Sequence, residues 1–324
     1  MSTATKVPET FELTGDDARE TLRRVGAGRL LADAWMRLRV SDGFSHARSL
    51  AYTISLVLVQ AIIGVIGLVT AIASPDAHGT IVRTVRAAVP GPAGDMLTTA
   101  VRQAHLAGAS GQYFGLLFGV VGSIVTGATL MGQTERALNR LYGVETDRPT
   151  FEKYRLALLL ALSAGVLAGI AFASLTLGRN VGRTIDSSTL DTVWRVLRWP
   201  VGLAFMAAAM AIVFKKSPRR HQPAWSWLAF ASTVSVLLWC AVTVALGLFF
   251  DASTTFGQTY GPLAGVVALL LWAFLSATAL LYGAAIAAQL ESVRAGEPEP
   301  QDEDKVEHSE PDADADDEPL PVPA

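Results

Sequence analysis

The sequence has one cysteine, five histidines and no Asp, Glu, His or Lys within any of its six long apolar runs. The single cysteine, Cys240, excludes an intramolecular disulfide. The histidines are scattered and lack the spacing of metal ligands, and no nucleophile motif or phosphate-binding glycine loop is present. We therefore expect no catalytic site, no metal site and no cofactor.

Apolar runs are what the sequence has in abundance, since 51% of its 324 residues are hydrophobic. Each run is long enough to cross a hydrocarbon core of about 30 Å as a helix. The runs are apolar all round, which excludes a soluble helical protein, and they lack the alternation of barrel strands. The sequence predicts an all-α polytopic membrane helix bundle with six transmembrane helices, near residues 49–73, 113–131, 156–177, 194–214, 227–250 and 262–288.

The distribution of positive charge predicts the orientation of this bundle. Nineteen Lys and Arg residues flank the runs on the side of the chain ends, and five lie on the other side, with Arg195 and Arg198 at its edge. Cytoplasmic segments carry the excess of positive charge in membrane proteins. We therefore expect both termini in the cytoplasm.

Three regions follow from composition. Residues 1–28 are polar and predict a disordered cytoplasmic arm with some helix after Gly15, and residues 29–291 form the six-helix transmembrane domain. Within that domain, residues 29–48 and 74–112 have the pattern of short amphipathic helices at the membrane interface. Residues 292–324 are rich in Asp, Glu and Pro and predict an acidic disordered cytoplasmic tail that folding does not require.

Two groups of short motifs give the chain a resemblance to the YihY/virulence-factor BrkB family of bacterial inner-membrane proteins, which older names call ribonuclease BN. The resemblance covers roughly residues 41–291, and in the last run this chain has Gly283-Ala284-Ala285 where the family often has Gly-Ala-Glu. The motif residues, in chain order, are Ala137-Leu138-Asn139, Tyr142-Gly143-Val144, Arg148-Pro149, Pro218, Trp239, Tyr260 to Gly265, Leu271-Trp272 and Gly283. The older name implies ribonuclease activity, but since no catalytic motif is present we expect none.

Three sets of residues are candidates for a functional site. The first is a polar cluster after the second run. It either belongs to a cytoplasmic extension of that helix, which fixes the angle between the second and third spans, or lines the inner mouth of a pathway. The second is a pair of arginines in the fourth run, which either reach the outer membrane interface or bind an anion. The third set consists of residues that either line a pathway or contribute to the packing between helices. The sets are, in that order, Glu135, Arg136, Asn139, Arg140 and Arg148; Arg195 and Arg198; and Gln60, Thr126, Tyr260, Gly261 and Trp272.

Two hypotheses for function follow. The chain is a transporter or facilitator of lipid-like or amphiphilic anionic molecules, or it is a non-transporting scaffold that binds partners through its basic loops and acidic tail. The expected partners are membrane lipids, especially anionic ones, and a protein that binds the acidic tail. The basic loops are short and offer little surface, so we expect no nucleic-acid partner. Small residues on the helix faces also allow copies of the chain to associate.

Overall fold

The fold is known from a computed structural model, which describes residues 2–72, 82, 85–86, 89–106, 112–181, 188–303 and 306. Six of its helices have the length and composition to cross a membrane, which confirms the predicted all-α membrane bundle. The long helices are α3 (Gly43–Ile72), α5 (Gln112–Leu141), α6 (Thr150–Val181), α7 (Ser188–Lys216), α8 (Trp225–Ala252) and α10 (Ala264–Arg294). The shorter ones are α1 (Gly15–Val25), α2 (Ala27–Val40), α4 (Gly91–Leu106) and α9 (Thr254–Tyr260).

The six long helices form a ring in which each packs against the next. The neighbours in order are α3, α5, α6, α7, α8 and α10, and α10 closes the ring against α3. Glycine permits the closest approaches, since a side chain at Gly283 of α10 would collide with Ser235 of α8, and one at Gly119 of α5 with Gly64 of α3. Small residues thus set the spacing between helices in two of the interfaces.

The bundle has two distinct ends. We call the end that holds residues 2–42, 142–149, 217–224 and 295–303 the basic end, and the opposite end, where α4 lies, the α4 end. The apolar core near the basic end draws buried side chains from all six long helices. In the α4 half, the described core comes from α3, α4, α8 and α10, with Val85 and Val89 from the segment before α4. Helix α4 is one of the two amphipathic helices predicted within 74–112, and most of the other lies outside the described residues.

The structure differs from the predicted disorder at residues 2–14 and 295–303, whereas α1 agrees with the helix expected after Gly15 and most of the predicted tail lies outside the described residues. Residues 2–14 lie extended across the basic end, where Ala4 and Val7 are 0% and 2% exposed, and α1 follows. Residues 295–303 turn back onto this segment, and Ala4 forms an antiparallel bridge with Gln301. Composition missed both segments because backbone hydrogen bonds, which do not depend on side-chain hydrophobicity, hold them. Removal of the residues after Arg294 is therefore expected to lower the stability of the protein, in contrast to the prediction that folding does not require the tail.

Candidate functional site

The predicted polar cluster after the second run forms at the basic end, where α5 leads into the connector to α6. Glu135 is 2% exposed, and one of its carboxylate oxygens lies 3.1 Å from Nη1 of Arg148. The same guanidinium donates to the backbone carbonyls of Ser217 at 2.6 Å and Pro218 at 2.9 Å. Since these two residues belong to the connector between α7 and α8, Arg148 joins two connectors that are distant in sequence.

Asn139 makes a second link between the same connectors. Its side chain is fully buried, its Nδ2 donates to Asp147 at 3.0 Å, and its Oδ1 accepts from the backbone N–H of Arg219 at 2.8 Å. Partial burial acts to raise the pKa of Asp147. Hydrogen bonds from Asn139 and Lys153, with the charges of Lys153 and Arg136, outweigh this effect and hold that pKa below its ordinary value. Asp147 is therefore an ionised partner at neutral pH.

The remaining two members of the cluster lie at its edge. Arg136 is exposed and contacts Asp147 at 3.4 Å, and Arg140 donates to the carbonyl of Glu145 at 2.9 Å. The structure thus brings all five predicted residues together, and each has a partner within the protein. A buried amide and carboxylate with satisfied hydrogen bonds stabilise an arrangement of helices. The geometry of this cluster is that of a structural link between connectors.

Sequence reasoning missed a second, more deeply buried polar cluster at the basic end. Arg37 of α2 is fully buried, and its guanidinium donates to Gln289 at 2.7 Å, to Ser292 at 3.0 Å and to the carbonyl of Thr5 at 2.9 Å. Burial, together with the nearby charge of Arg220, lowers the pKa of Arg37 to about 10. The signal was present, because Arg37 shares the helical periodicity of the buried face of α2.

An ion pair lies beside Arg37. Arg220 and Glu291 approach to 2.8 Å, with their side chains 1% and 0% exposed. Glu291 also accepts from the hydroxyl of Thr10 at 2.6 Å, and the guanidinium of Arg220 lies 4.5 Å from the centre of the Tyr142 ring. Two cations and one carboxylate are therefore buried together, which costs desolvation energy that their hydrogen bonds must offset.

These carboxylates pair with cations rather than with one another. Glu135, Asp147 and Glu291 each contact an arginine or lysine side chain. Among the described residues, no group of three or more His, Cys, Asp or Glu side chains has an arrangement that could hold a metal ion. The carboxylates at this end of the bundle therefore form ion pairs with arginine and lysine side chains.

Arg198 has a different environment, in the α4 half of α7. It is 8% exposed, and its Nε and Nη1 are buried without a hydrogen-bond partner in the described structure. Its guanidinium carbon lies 5.8 Å from the ring centre of the neighbouring Trp199. The backbone of Arg195 lies one turn earlier in α7, and its side chain is outside the described part. Buried guanidinium nitrogens without an acceptor are costly, so Nε and Nη1 of Arg198 are donors that an additional acceptor could satisfy.

The five residues predicted for a pathway or for packing do not form one site. Gln60 of α3 packs against Gly122 of α5, and Thr126 lies half-buried on α5. Trp272 is buried in α10 and donates from Nε1 to Thr243 at 3.3 Å.

The other two residues of that set lie at the α4 end. Tyr260 is exposed and packs on Phe256, with ring centres 4.8 Å apart. Gly261 has a φ of 49°, which favours glycine, and lines a shallow groove of about 490 Å³ between α4 and α10. Gly261 thus borders an open groove, whereas Gln60 lies at the contact between α3 and α5.

Comparison with known proteins places the chain among membrane proteins. It is 28% identical over 297 residues to a UPF0761 membrane protein of Rhodospirillum centenum, and this alignment covers 88% of this chain and 64% of the relative. It is 21% identical over 266 residues to the ribonuclease-like protein YfkH of Bacillus subtilis, covering 80% of this chain and 94% of that protein. A UPF0761 membrane protein of Xanthomonas oryzae is 26% identical over 287 residues, with 85% and 63% covered.

The chain thus spans less than two thirds of the length of the UPF0761 relatives from Rhodospirillum and Xanthomonas. No solved structure matches it. The family model of virulence factor BrkB matches residues 34–308, which is most of the chain and includes all six long helices. With this match and six apolar helices, the chain belongs to the BrkB family and is a multi-pass membrane protein.

Proposed function

We propose that this protein binds anionic amphiphiles at Arg198 and carries or facilitates their passage across the bacterial cytoplasmic membrane, without catalysis. The observation that supports the proposal is the buried Arg198 guanidinium with two unpaired nitrogens. Arginine is always charged in proteins and donates in a planar fork that matches a phosphate or carboxylate. A ligand anion would supply the acceptors that the described protein residues do not.

The position of Arg198 suits the headgroup of a membrane amphiphile. The stretch of α7 from Arg198 to Lys216, at about 1.5 Å per residue, is roughly 27 Å long, close to the thickness of a hydrocarbon core. Arg198 therefore lies near one membrane boundary. Around it, Val196, Leu197 and Trp199 are 67%, 45% and 52% exposed. A charged contact surrounded by exposed apolar side chains favours a ligand with both a charged and an apolar part.

The orientation is part of the same proposal. The excess of Lys and Arg at the basic end favours a cytoplasmic location for that end, and hence an outer location for Arg198. An amphiphile bound there would have its headgroup at the level of the outer leaflet.

The alternative function is a non-transporting scaffold that binds partners through the basic loops and the acidic tail. Several loop cations, however, are already bonded within the protein. Lys215 donates to the carbonyls of Gln222 and Pro223, both at 2.7 Å, and Arg219 donates from its guanidinium to the carbonyl of Asp147 at 2.7 Å. These cations are less available to a partner, which favours the amphiphile over the scaffold.

Replacement of Arg198 by glutamine tests the proposal, because it has opposite effects on binding and on stability. We expect phosphatidylglycerol binding to fall by roughly tenfold or more, since a charge-assisted hydrogen bond contributes about 1.5–3 kcal/mol. Stability without lipid should stay equal or rise, because the variant removes a buried unpaired charge. Native mass spectrometry of delipidated protein would measure the first effect, and thermal unfolding in detergent the second.

Arg102→Gln is the matched control, since Arg102 is an exposed cation of α4 at the same end of the bundle. It should leave phosphatidylglycerol binding unchanged. Passage itself is measured with fluorescent phosphatidylglycerol in one leaflet of phosphatidylcholine vesicles that contain the protein. If Arg198→Gln is destabilised and binds phosphatidylglycerol as well as the parent does, Arg198 has a structural role and the proposal fails. If binding falls but no passage occurs in the parent, the protein binds the amphiphile without carrying it.

A further inference from the structure

We propose that residues 2–14, the strap, form a movable cover that closes the basic end of the bundle. The strap crosses this end in an extended conformation, over the buried cluster that contains Arg37, Arg220 and Glu291. The role of the cover in regulating passage rests on the proposed function, whereas its opening and closing are independent of that function.

The first half of the strap is held mainly through its backbone. The N–H of Thr3 donates to the carbonyl of Val40 at 2.9 Å, and the N–H of Val7 donates to the carbonyl of Tyr142 at 3.1 Å. The carbonyl of Thr5 accepts from Arg37 at 2.9 Å. The strap thereby contacts α2 and the turn after α5.

The second half of the strap follows the connector between α7 and α8. Arg220 donates to the carbonyl of Pro8 at 2.9 Å, and the ring of Phe11 lies 4.4 Å from that of His221. Farther along, the N–H of Ala224 donates to the carbonyl of Leu13 at 3.2 Å. The strap thus extends from the turn after α5 to the start of α8 and covers the polar groups between them.

A glycine makes room for the strap. Gly143 has a φ of 66°, and a Cβ at this position would lie 2.6 Å from Cα of Lys6 and 2.9 Å from the carbonyl oxygen of Thr5. A side chain here is excluded both by the backbone conformation and by the strap itself. The turn after α5 is therefore shaped to accept the strap.

The contacts of the strap suit a reversible cover better than a permanent one. Among its apolar residues only Ala4 and Val7 are buried, Leu13 packs half-buried against the core, and Pro8 and Phe11 are exposed, so few apolar contacts hold the strap. Beneath it are charged groups that lose hydration when it closes and regain hydration when it opens. Segments held by few apolar contacts and by exposed backbone hydrogen bonds open at a low free-energy cost.

The segment 295–303 fastens the strap. The N–H of Thr5 donates to the carbonyl of Pro300 at 3.1 Å, the N–H of Asp302 donates to the carbonyl of Thr3 at 2.9 Å, and Ala4 is bridged to Gln301. Because the two chain ends hold each other, a change at either one alters how readily the strap opens.

The first experiment measures coverage without reference to transport. Ser292 is fully buried under this end, so Ser292→Cys in a Cys240→Ala background provides one thiol for a charged maleimide. We expect deletion of residues 2–12 to accelerate labelling at least tenfold. Ser235→Cys, buried within the bundle, should stay unlabelled in both chains and shows that the helices remain packed. Equal labelling rates at position 292 with and without the strap would overturn the proposal.

The second experiment fixes the strap in the closed position. Bridged residues of antiparallel strands lie within the Cα separation of a disulfide, so Ala4→Cys with Gln301→Cys in the Cys240→Ala background can be cross-linked reversibly. We expect oxidation to lower passage of fluorescent phosphatidylglycerol through phosphatidylcholine vesicles at least tenfold, and reduction to restore it. Ala4→Cys alone should show no such change.

Passage that is unchanged by the cross-link would exclude the strap as a regulator. If the reduced chain carries no phosphatidylglycerol at all, the proposed function fails instead, and the labelling of position 292 still decides whether the strap closes this end.

Discussion

The buried ion pair between Arg220 and Glu291 gives a sharp test of the energetics of the basic end. Removal of either partner leaves the other as an uncompensated buried charge, because both side chains are at most 1% exposed. Such a change costs about 3–5 kcal/mol, whereas replacement of both partners by apolar residues of similar volume is often neutral or stabilising. We therefore expect Glu291→Leu and Arg220→Leu to be strongly destabilised and the double variant to recover most of the loss.

The neighbours of the pair set the order of these effects. In Glu291→Leu, Arg220 keeps its contact with Tyr142 and one carbonyl but lies near the buried cation of Arg37. This variant should therefore be at least as destabilised as Arg220→Leu. Unfolding by sodium dodecyl sulfate in mixed micelles gives the four free energies of unfolding. A double variant that loses as much as both single variants together would refute the reasoning, since no coupling between the two charges would then exist.

Three further predictions concern the connectors. Asn139→Ala should lower the free energy of unfolding by about 1–3 kcal/mol, because Asp147 and the amide of Arg219 lose a buried partner; an equally stable variant that no longer carries phosphatidylglycerol would instead place Asn139 on the pathway. Because the pKa of Asp147 is lower in the folded than in the unfolded protein, its ionised carboxylate contributes stability above the ordinary pKa of Asp. This contribution is lost as the pH falls through the folded-state pKa, so the thermal unfolding temperature should fall at acidic pH by an amount that Asp147→Asn lacks. Reporter fusions after Lys216 should indicate the cytoplasm and fusions after Asp251 the outside, and the opposite result would reverse the proposed orientation.

The six long helices could be predicted from the sequence because a membrane helix needs only a long apolar stretch. The apolar part of the second helix was expected to end near residue 131, with a polar helical extension beyond it. Helix α5 does continue to Leu141, and Glu135 and Asn139 in this extension are buried against connectors. Hydropathy detects contact with lipid, and a helix that leaves the lipid while it remains packed falls outside that signal.

The candidate cluster at the end of α5 could be predicted as a group because its spacing places Glu135 and Asn139 on one helical face. Its partners could not be, since Ser217, Pro218 and the amide of Arg219 are distant in sequence and contribute backbone groups. The strap was missed for the same reason, because backbone hydrogen bonds between distant segments leave no trace in composition or periodicity. The cluster around Arg37 is different: the periodicity of α2 indicates that Arg37 is buried, but its partners Gln289 and Ser292 are distant in sequence.

The contact between the strap and the end of α10 has a consequence for biosynthesis. Thr10 and Glu291 are hydrogen-bonded although 281 residues separate them. The strap is synthesised before its partners on α10 and in the segment 295–303. A ribosome adds about 5–20 residues per second, so the strap stays without these partners for many seconds. The basic end can close only on a chain whose sixth span is already inserted, and an incompletely inserted chain would present its unpaired N-terminal segment to chaperones and proteases.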